Sequence, residues 1–180
     1  MPFGKFQIIP KNIFRSTENF LRCKFKTVKA NVETRIELIS PELRKRMSSA
    51  SETQLRRVAT AVSRAIVERI GLENPIITGA LEQLNNHPPT EDFRVKVQAF
   101  ADELDSAYFD LSAECDEGRA SREQVTTAFS KARAASAIAF AFSDDAIMAE
   151  SEATYEAASA TDDAAIILSV AEKILNGNAA

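Results

Sequence analysis

Apolar residues recur every three or four positions through most of this chain, a spacing that favours α-helices over strands. The clearest stripe comprises Leu55, Val58, Val62, Ile66 and Ile70. Gly71 follows it and suits the left-handed conformation that often ends a helix. The sequence therefore predicts a long helix over residues 51–70.

Start signals divide the chain after Ser40 into further helices. Ser40-Pro41 and Asn74-Pro75 each place a capping side chain before a proline, which suits the first helical position because it has no N–H to leave unpaired. Ser121 and Gln124 have the spacing of a capping box. These signals predict helices from about residues 41, 75 and 122.

Two similar segments predict the last two helices. Ser143-Asp144-Asp145-Ala146 and Thr161-Asp162-Asp163-Ala164 lie eighteen residues apart. Each offers a hydroxyl cap followed by two acids that complement the helix dipole. A single repeat is too little for a solenoid, which needs about three stacked units. We therefore interpret the segments as two helix starts, with Ile147, Ser151 and Tyr155 facing inward on the first helix.

The segment from Thr90 to Gly118 predicts the longest helix. Its apolar stripe comprises Phe93, Val97, Phe100, Leu104, Tyr108, Leu111 and Cys115. Its acidic residues are Asp102, Glu103, Asp105, Asp110, Glu114, Asp116 and Glu117. Most of these acids lie away from the stripe, so we interpret them as a solvated face. Such a face repels nucleic acid and attracts basic partners.

The predicted fold is mainly α, an irregular bundle or array of five or six helices between Pro41 and Asn176, with a small N-terminal β-hairpin. The predicted core comprises Leu55, Val58, Val62, Ile66, Leu81, Phe93, Val97, Phe100, Leu104, Leu111, Phe129, Phe140, Ile167, Val170 and Ile174.

The charge balance changes near Ser40. Residues 1–40 carry eight Lys or Arg against three Asp or Glu, whereas residues 41–180 carry fourteen against twenty-three. Polar and apolar residues alternate over Leu21–Thr27 and Val32–Leu38, and the intervening Lys29-Ala30-Asn31 suits a short loop. We therefore predict a basic, aromatic N-terminal segment over residues 1–40 that contains a β-hairpin, and a helical domain over residues 41–180.

The basic residues of this hairpin are candidate contacts for nucleic acid or a protein partner: Arg22, Lys24, Lys26, Lys29 and Arg35. Cations bind phosphates, and nearby aromatic rings can stack on bases. The net charge of the whole chain is −4, however, and only one face of the hairpin is basic. A solvated strand edge whose lysines discourage aggregation is therefore the favoured interpretation.

A different hypothesis concerns Met47, which lies beside the change in composition. Met47-Ser48-Ser49-Ala50 resembles an ordinary protein start. Residues 1–46 could therefore precede the true first residue. A mass measurement on the protein from its native source tests this hypothesis.

The sequence has few of the residue patterns that catalytic or cofactor-binding sites need. His87 is the only histidine, so metal sites and triads that need several close His or Cys residues are not expected. The five glycines are too scattered to form a phosphate-binding loop. We predict no cofactor and no metal, and we favour a function other than catalysis.

The predicted location is the cytoplasm. Cys23 and Cys115 lie far apart and form no disulfide framework. The longest apolar stretch, Ala134 to Phe142, is shorter than the roughly 18 residues that a membrane helix needs.

Three functions follow from this sequence, in order of preference. The first is a non-catalytic protein-interaction module of the adaptor or toxin-neutralising type, with a protein partner. The second is a nucleic-acid-associated protein that acts through the basic hairpin. The third is an enzyme or small-ligand-binding protein with a pocket between helices.

Overall fold

The helices of this protein begin where side chains can accept hydrogen bonds from the first free backbone amides. The computed structural model describes residues 34–86 and 90–177. Ser40 Oγ accepts from the amide of Leu43 at 3.2 Å, and Pro41 occupies the first helical position. Asn74 Oδ1 accepts from the amide of Ile76 at 2.8 Å. Both predicted start signals are confirmed.

Within the described residues, a short 3-10 helix at Arg35–Leu38 precedes seven α-helices. These are α1 (Pro41–Met47), α2 (Glu52–Ile70), α3 (Pro75–Asn86), α4 (Glu91–Asp116), α5 (Arg122–Ala141), α6 (Ala146–Ser159) and α7 (Ala164–Leu175). The mainly α class is confirmed, and residues 34–86 and 90–177 contain no β-strand. The predicted number of five or six helices is wrong, because every start signal opens a separate helix, however short.

The two acidic segments cap their helices differently from the prediction. At α6, the Asp145 carboxylate accepts from two backbone amides at 2.8 and 3.1 Å, and Ser143 lies outside the helix. At α7, Asp163 precedes the helix without a side-chain cap, while Thr161 Oγ1 accepts from the Asp163 amide at 3.2 Å. The predicted hydroxyl caps are therefore wrong: a carboxylate caps α6, and α7 begins without a side-chain cap.

Residues 35–38 correct the predicted hairpin. The sequence predicts a strand that ends at Leu38, but one turn of 3-10 helix occupies this position, and the amide of Ser40 donates to the carbonyl of Ile36 at 2.8 Å. Ile36 is fully buried. Alternation over four residues fits a turn with one buried residue as well as it fits a strand. The remainder of the predicted hairpin, including Leu21–Thr27, lies outside the described residues.

Small residues dominate the centre of the bundle. All residues from Ala132 to Ala139 on α5 are buried, as is most of α6. Helix α6 packs against α2, α5 and α7. Alanine permits this arrangement because the distance between packed helices depends on the size of the side chains at the contact.

The predicted core is confirmed where helices surround it. Its fully buried members are Leu55, Val58, Val62, Ile66, Val97, Ile167 and Ile174. Its half-buried members are Leu81, Phe93, Phe100, Leu104, Leu111, Phe129, Phe140 and Val170. Six of these pack against the buried core, whereas Leu111 and Phe129 do not belong to it, so the prediction is wrong for those two residues. The inward orientation of Ile147 is also wrong, because this side chain is exposed.

Two predicted helix ends are confirmed. Gly71 and Gly118 have φ values of 64° and 77°, which a residue with a Cβ adopts at a cost. The division of the chain at residue 40 stays a prediction. Across the described residues, none of the helices combines the length and apolar character needed to cross a bilayer.

Candidate functional site

The structure places one of the five predicted contact residues. Arg22, Lys24, Lys26 and Lys29 lie outside the described residues. Arg35 lies in the 3-10 helix, and its guanidinium group points toward α6 rather than into open solvent. In this arrangement Arg35 is engaged by carboxylates of its own chain.

Two carboxylates hold the Arg35 side chain. Its Nε and Nη2 lie 2.6 and 2.5 Å from Oε2 of Glu152, and Nη2 lies 2.6 Å from Oε1 of Glu156. The backbone amide of Arg35 also donates to Glu152 Oε1, at 3.4 Å. The guanidinium carbon lies 4.4 Å from the ring centroid of Tyr155 and 5.6 Å from that of Phe140. Arg35 therefore has both ionic and cation–π partners.

Glu156 also binds a second arginine. Arg133 Nη1 on α5 lies 3.0 Å from Oε2 of Glu156, and its Nη2 contacts Asp105 on α4. The guanidinium carbon of Arg133 lies 5.7 Å from the ring centroid of Phe129. We call Arg35, Asp105, Arg133, Glu152 and Glu156 the ionic cluster. It joins the 3-10 helix to α4, α5 and α6.

The ionic cluster keeps both arginines charged. Burial alone lowers the pKa of Arg35, but the negative charges of Glu156 and Glu152 outweigh burial and raise it. The pKa of Arg133 is raised in the same way, against the effect of burial, by Glu156 and Asp105. The cluster contains two arginines and three carboxylates. The carboxylates exceed the arginines by one, and each carboxylate already contacts a guanidinium group, so the cluster suits a structural or binding role better than proton transfer.

Glu150 is a separate buried acid on α6. Its side chain is fully buried, and its Oε1 accepts from Thr154 Oγ1 at 3.1 Å. Burial raises the pKa of Glu150 to about 8, against the smaller opposite effects of Thr154 and Arg44. This carboxyl group is therefore mostly protonated at neutral pH.

An open groove lies between α4 and α5, beyond the densely packed centre. Its volume is about 420 Å³, and its lining residues are Leu104, Ala107, Leu111, Glu123, Gln124, Thr127, Ala128 and Lys131. We call it the α4–α5 groove. No residue from Asp102 to Lys131 is fully buried. This part of the helix pair therefore offers its surface to solvent.

Three exposed acids lie on the face of α4 that contains Ala107, a lining residue of the α4–α5 groove. Relative to Ala107, Glu103 lies four residues earlier, Asp110 three residues later and Glu114 seven residues later. These spacings place the three acids on the same face of α4 as Ala107. None of the three side chains forms an ion pair with another described residue. We call them the acidic rim. The sequence predicted a solvated acidic face here, and the acidic rim is exposed, whereas Asp105 is held by Arg133.

The described residues contain no metal site and no disulfide. His87 lies outside them, and no group of three or more His, Cys, Asp or Glu residues within them could hold a metal ion. Cys115 has a half-buried thiol that is not in a disulfide. The carboxylates that converge beside Tyr155 already bind Arg35, so they do not open into an empty catalytic cleft.

Comparisons with protein-family models, with curated proteins and with solved structures found no match.

Sequence reasoning missed the ionic cluster. Glu152 and Glu156 are four residues apart, which is the ordinary spacing of solvated acids on a helix. A signal was nevertheless present in Arg133, which begins a run of small and apolar residues from Arg133 to Phe142. An arginine at the start of such a run needs a buried anionic partner.

Proposed function

We propose that this protein is a non-catalytic protein-interaction module, of the adaptor or toxin-neutralising type, that binds a basic amphipathic helix of a partner protein in the α4–α5 groove. The acidic rim beside an apolar groove is the observation that carries this proposal. Helices that bind grooves present apolar residues every three or four positions. Lysine or arginine beside those residues would complement the acidic rim.

The composition of the groove supports a helix rather than a small substrate. Leu104, Ala107 and Leu111 provide a short apolar strip, and Ala128 provides a small residue opposite. Glu123, Gln124, Thr127 and Lys131 complete the lining, so the groove carries one basic and one acidic side chain of its own, and none of its lining residues is fully buried. Specific small-molecule sites are usually more enclosed and place several polar groups around the ligand.

The cytoplasm remains the proposed location, since the few, widely spaced cysteines suit a reducing compartment. The nucleic-acid function stays an alternative that depends on Arg22, Lys24, Lys26 and Lys29. Arg35 contributes little to it while Glu152 and Glu156 hold its guanidinium group.

A charge-reversal experiment tests the proposal. The triple variant Glu103→Lys, Asp110→Lys and Glu114→Lys removes the acidic rim and should lose partners that the wild-type protein captures from its native organism. Those partners should dissociate as salt rises, because salt screens exposed charges. The control variant carries Glu68→Lys, Glu73→Lys and Glu82→Lys, which changes the net charge equally at exposed positions outside the groove.

The identity of the captured segment decides the result. The proposal requires that a basic amphipathic helix from the partner binds the wild-type and control proteins but not the rim variant. Equal binding by the rim and control variants would overturn it. Salt-sensitive capture of nucleic acid by all three proteins would favour the alternative function.

A further inference from the structure

The ionic cluster contains a binding arrangement for a guanidinium group. Glu152 and Glu156 contact the Arg35 guanidinium at 2.5 and 2.6 Å, and Tyr155 lies under it at 4.4 Å. Paired carboxylates match the donors of a guanidinium group, and an aromatic face adds attraction for its charge. An ammonium group presents a different donor geometry and fits this arrangement less well.

One of the two carboxylates that bind Arg35, Glu156, has a second partner that holds it in place without Arg35. Arg133 binds Oε2 of Glu156 at 3.0 Å and leaves Oε1 of the same carboxylate directed at Arg35. Glu152 and Glu156 both lie on the densely packed helix α6 and are almost fully buried. A preorganised site of this kind loses little conformational entropy when a ligand binds.

The short helix that contains Arg35 has fewer anchoring contacts than α6. Arg35 belongs to a four-residue 3-10 helix, and its side chain is 37% exposed at the mouth of the site. Ile36 is the only apolar residue of that short helix that is buried, whereas Leu38 is 78% exposed. The contacts of this segment with α6 are therefore made by Arg35, while Ile36 and Thr34 are buried and Glu37 pairs with Arg44.

We propose that Glu152, Glu156, Tyr155 and Phe140 form a peptide-binding site for an arginine followed by a large aliphatic residue, and that Arg35 and Ile36 occupy this site as an internal competitor. A partner peptide with the same pair of residues gains access when residues 34–40 leave. The carboxylates and the ring select the guanidinium group, and the space vacated by Ile36 selects the aliphatic side chain. The site lies outside the α4–α5 groove, so this inference does not depend on the proposed function.

A peptide added to the full-length protein tests the inference. The probe is a fluorescent peptide with the sequence of residues 34–40, and the control peptide contains citrulline in place of arginine, which keeps the shape but removes the charge. The full-length double variant Arg35→Ala and Ile36→Ala should bind the probe at least about tenfold more tightly than wild type does, because the internal competitor is absent. The citrulline peptide should bind the double variant at least about tenfold more weakly than the probe.

Circular dichroism shows whether the double variant folds. If it does not fold, a milder variant provides the same test. Arg35→Lys retains the positive charge but cannot reproduce the paired contacts, so it should bind the probe more tightly than wild type does. Absence of probe binding by folded variants would overturn the inference. So would equal binding of the arginine and citrulline peptides, or equal binding by wild type and variants.

Discussion

Arg133 Nη1 lies 3.0 Å from Oε2 of Glu156, and both side chains are almost completely buried. This pair joins α5 to α6 at the centre of the ionic cluster. A buried pair of charges gains little over an apolar pair, but the loss of one partner leaves an uncompensated charge in a region of low dielectric constant. The pair therefore makes the fold sensitive to single substitutions on either helix.

The first prediction concerns this pair. Arg133→Met should lower the free energy of unfolding by roughly 3–5 kcal/mol, because the ionic cluster is then left with three carboxylates and only Arg35 to compensate them. Urea unfolding measures the change. The double variant Arg133→Met and Glu156→Gln should lose less than the sum of the two single variants, by about 0.5–3 kcal/mol. Additive losses would show that the two side chains are not coupled.

The second prediction concerns Glu150 and pH. Its pKa is about 8 in the folded protein and near 4.5 when exposed, so the folded protein binds more protons across this interval. Stability contributed by this group is therefore highest below about pH 4.5 and falls as pH rises toward 8, by about 1.4 kcal/mol per unit.

The variant Glu150→Gln cannot lose a proton and serves as the comparison. It should exceed the wild type in stability by roughly 3–5 kcal/mol at pH 8, and the difference should shrink steadily toward pH 5. Urea unfolding of both proteins between pH 5 and pH 8 measures this difference. Parallel stability curves for the two proteins would contradict the buried position of Glu150.

The third prediction concerns the close approach of α3 and α4 at Gly79. A Cβ at this position would lie 2.9 Å from Cζ of Phe93, whose ring stacks on Phe142 at a centroid distance of 6.3 Å. Gly79→Ala gains up to about 1 kcal/mol in helix propensity but overpacks the contact at a cost of about 1–3 kcal/mol. Net destabilisation of roughly 1 kcal/mol is therefore expected in thermal or urea unfolding.

The same substitution in a Phe93→Leu variant separates the gain in helix propensity from the cost of overpacking. In Phe93→Leu the ring is absent, so Gly79→Ala should become neutral or stabilising there. A stabilising effect of Gly79→Ala in the wild-type background would show that α3 and α4 are not in close contact at this point.

The fourth prediction concerns the hypothesis that the chain starts at Met47. Ile36 and Leu43 are fully buried, and Arg35 binds two carboxylates of α6. A chain that begins at Met47 loses all three and should be strongly destabilised or unfolded, as judged by circular dichroism and thermal unfolding. Ile36→Ala alone should cost roughly 2–5 kcal/mol. A stable protein beginning at Met47 would show that residues 34–46 are dispensable for folding.

The sequence predicts the helices well because caps and apolar spacing are local properties. Ser40, Asn74 and Gly71 act as predicted, since each needs only its neighbouring residues to be recognised. The residues that were missed depend on contacts across the fold. Glu152 and Arg35 are 117 positions apart, and no local pattern indicates that they meet.

The acidic rim was partly predictable. The helical period places Glu103, Asp110 and Glu114 on one face of α4, and the sequence indicated that this helix is acidic and solvated. The apolar groove beside the rim was not predicted, because it requires the position of α5 relative to α4. Leu104 and Leu111 were expected in the core, yet both line the groove.

Photo-crosslinking from the α4–α5 groove shows which partner segment occupies it. A photoreactive amino acid replaces the exposed Ala107 in the full-length protein, which is expressed and irradiated in its native organism, and the attached peptide is sequenced. We expect a peptide with apolar residues every three or four positions and flanking lysine or arginine, and we expect its attachment to be lost in the acidic-rim variant. Attachment to nucleic acid, to acidic peptides, or to the same peptides in the acidic-rim variant would contradict this expectation.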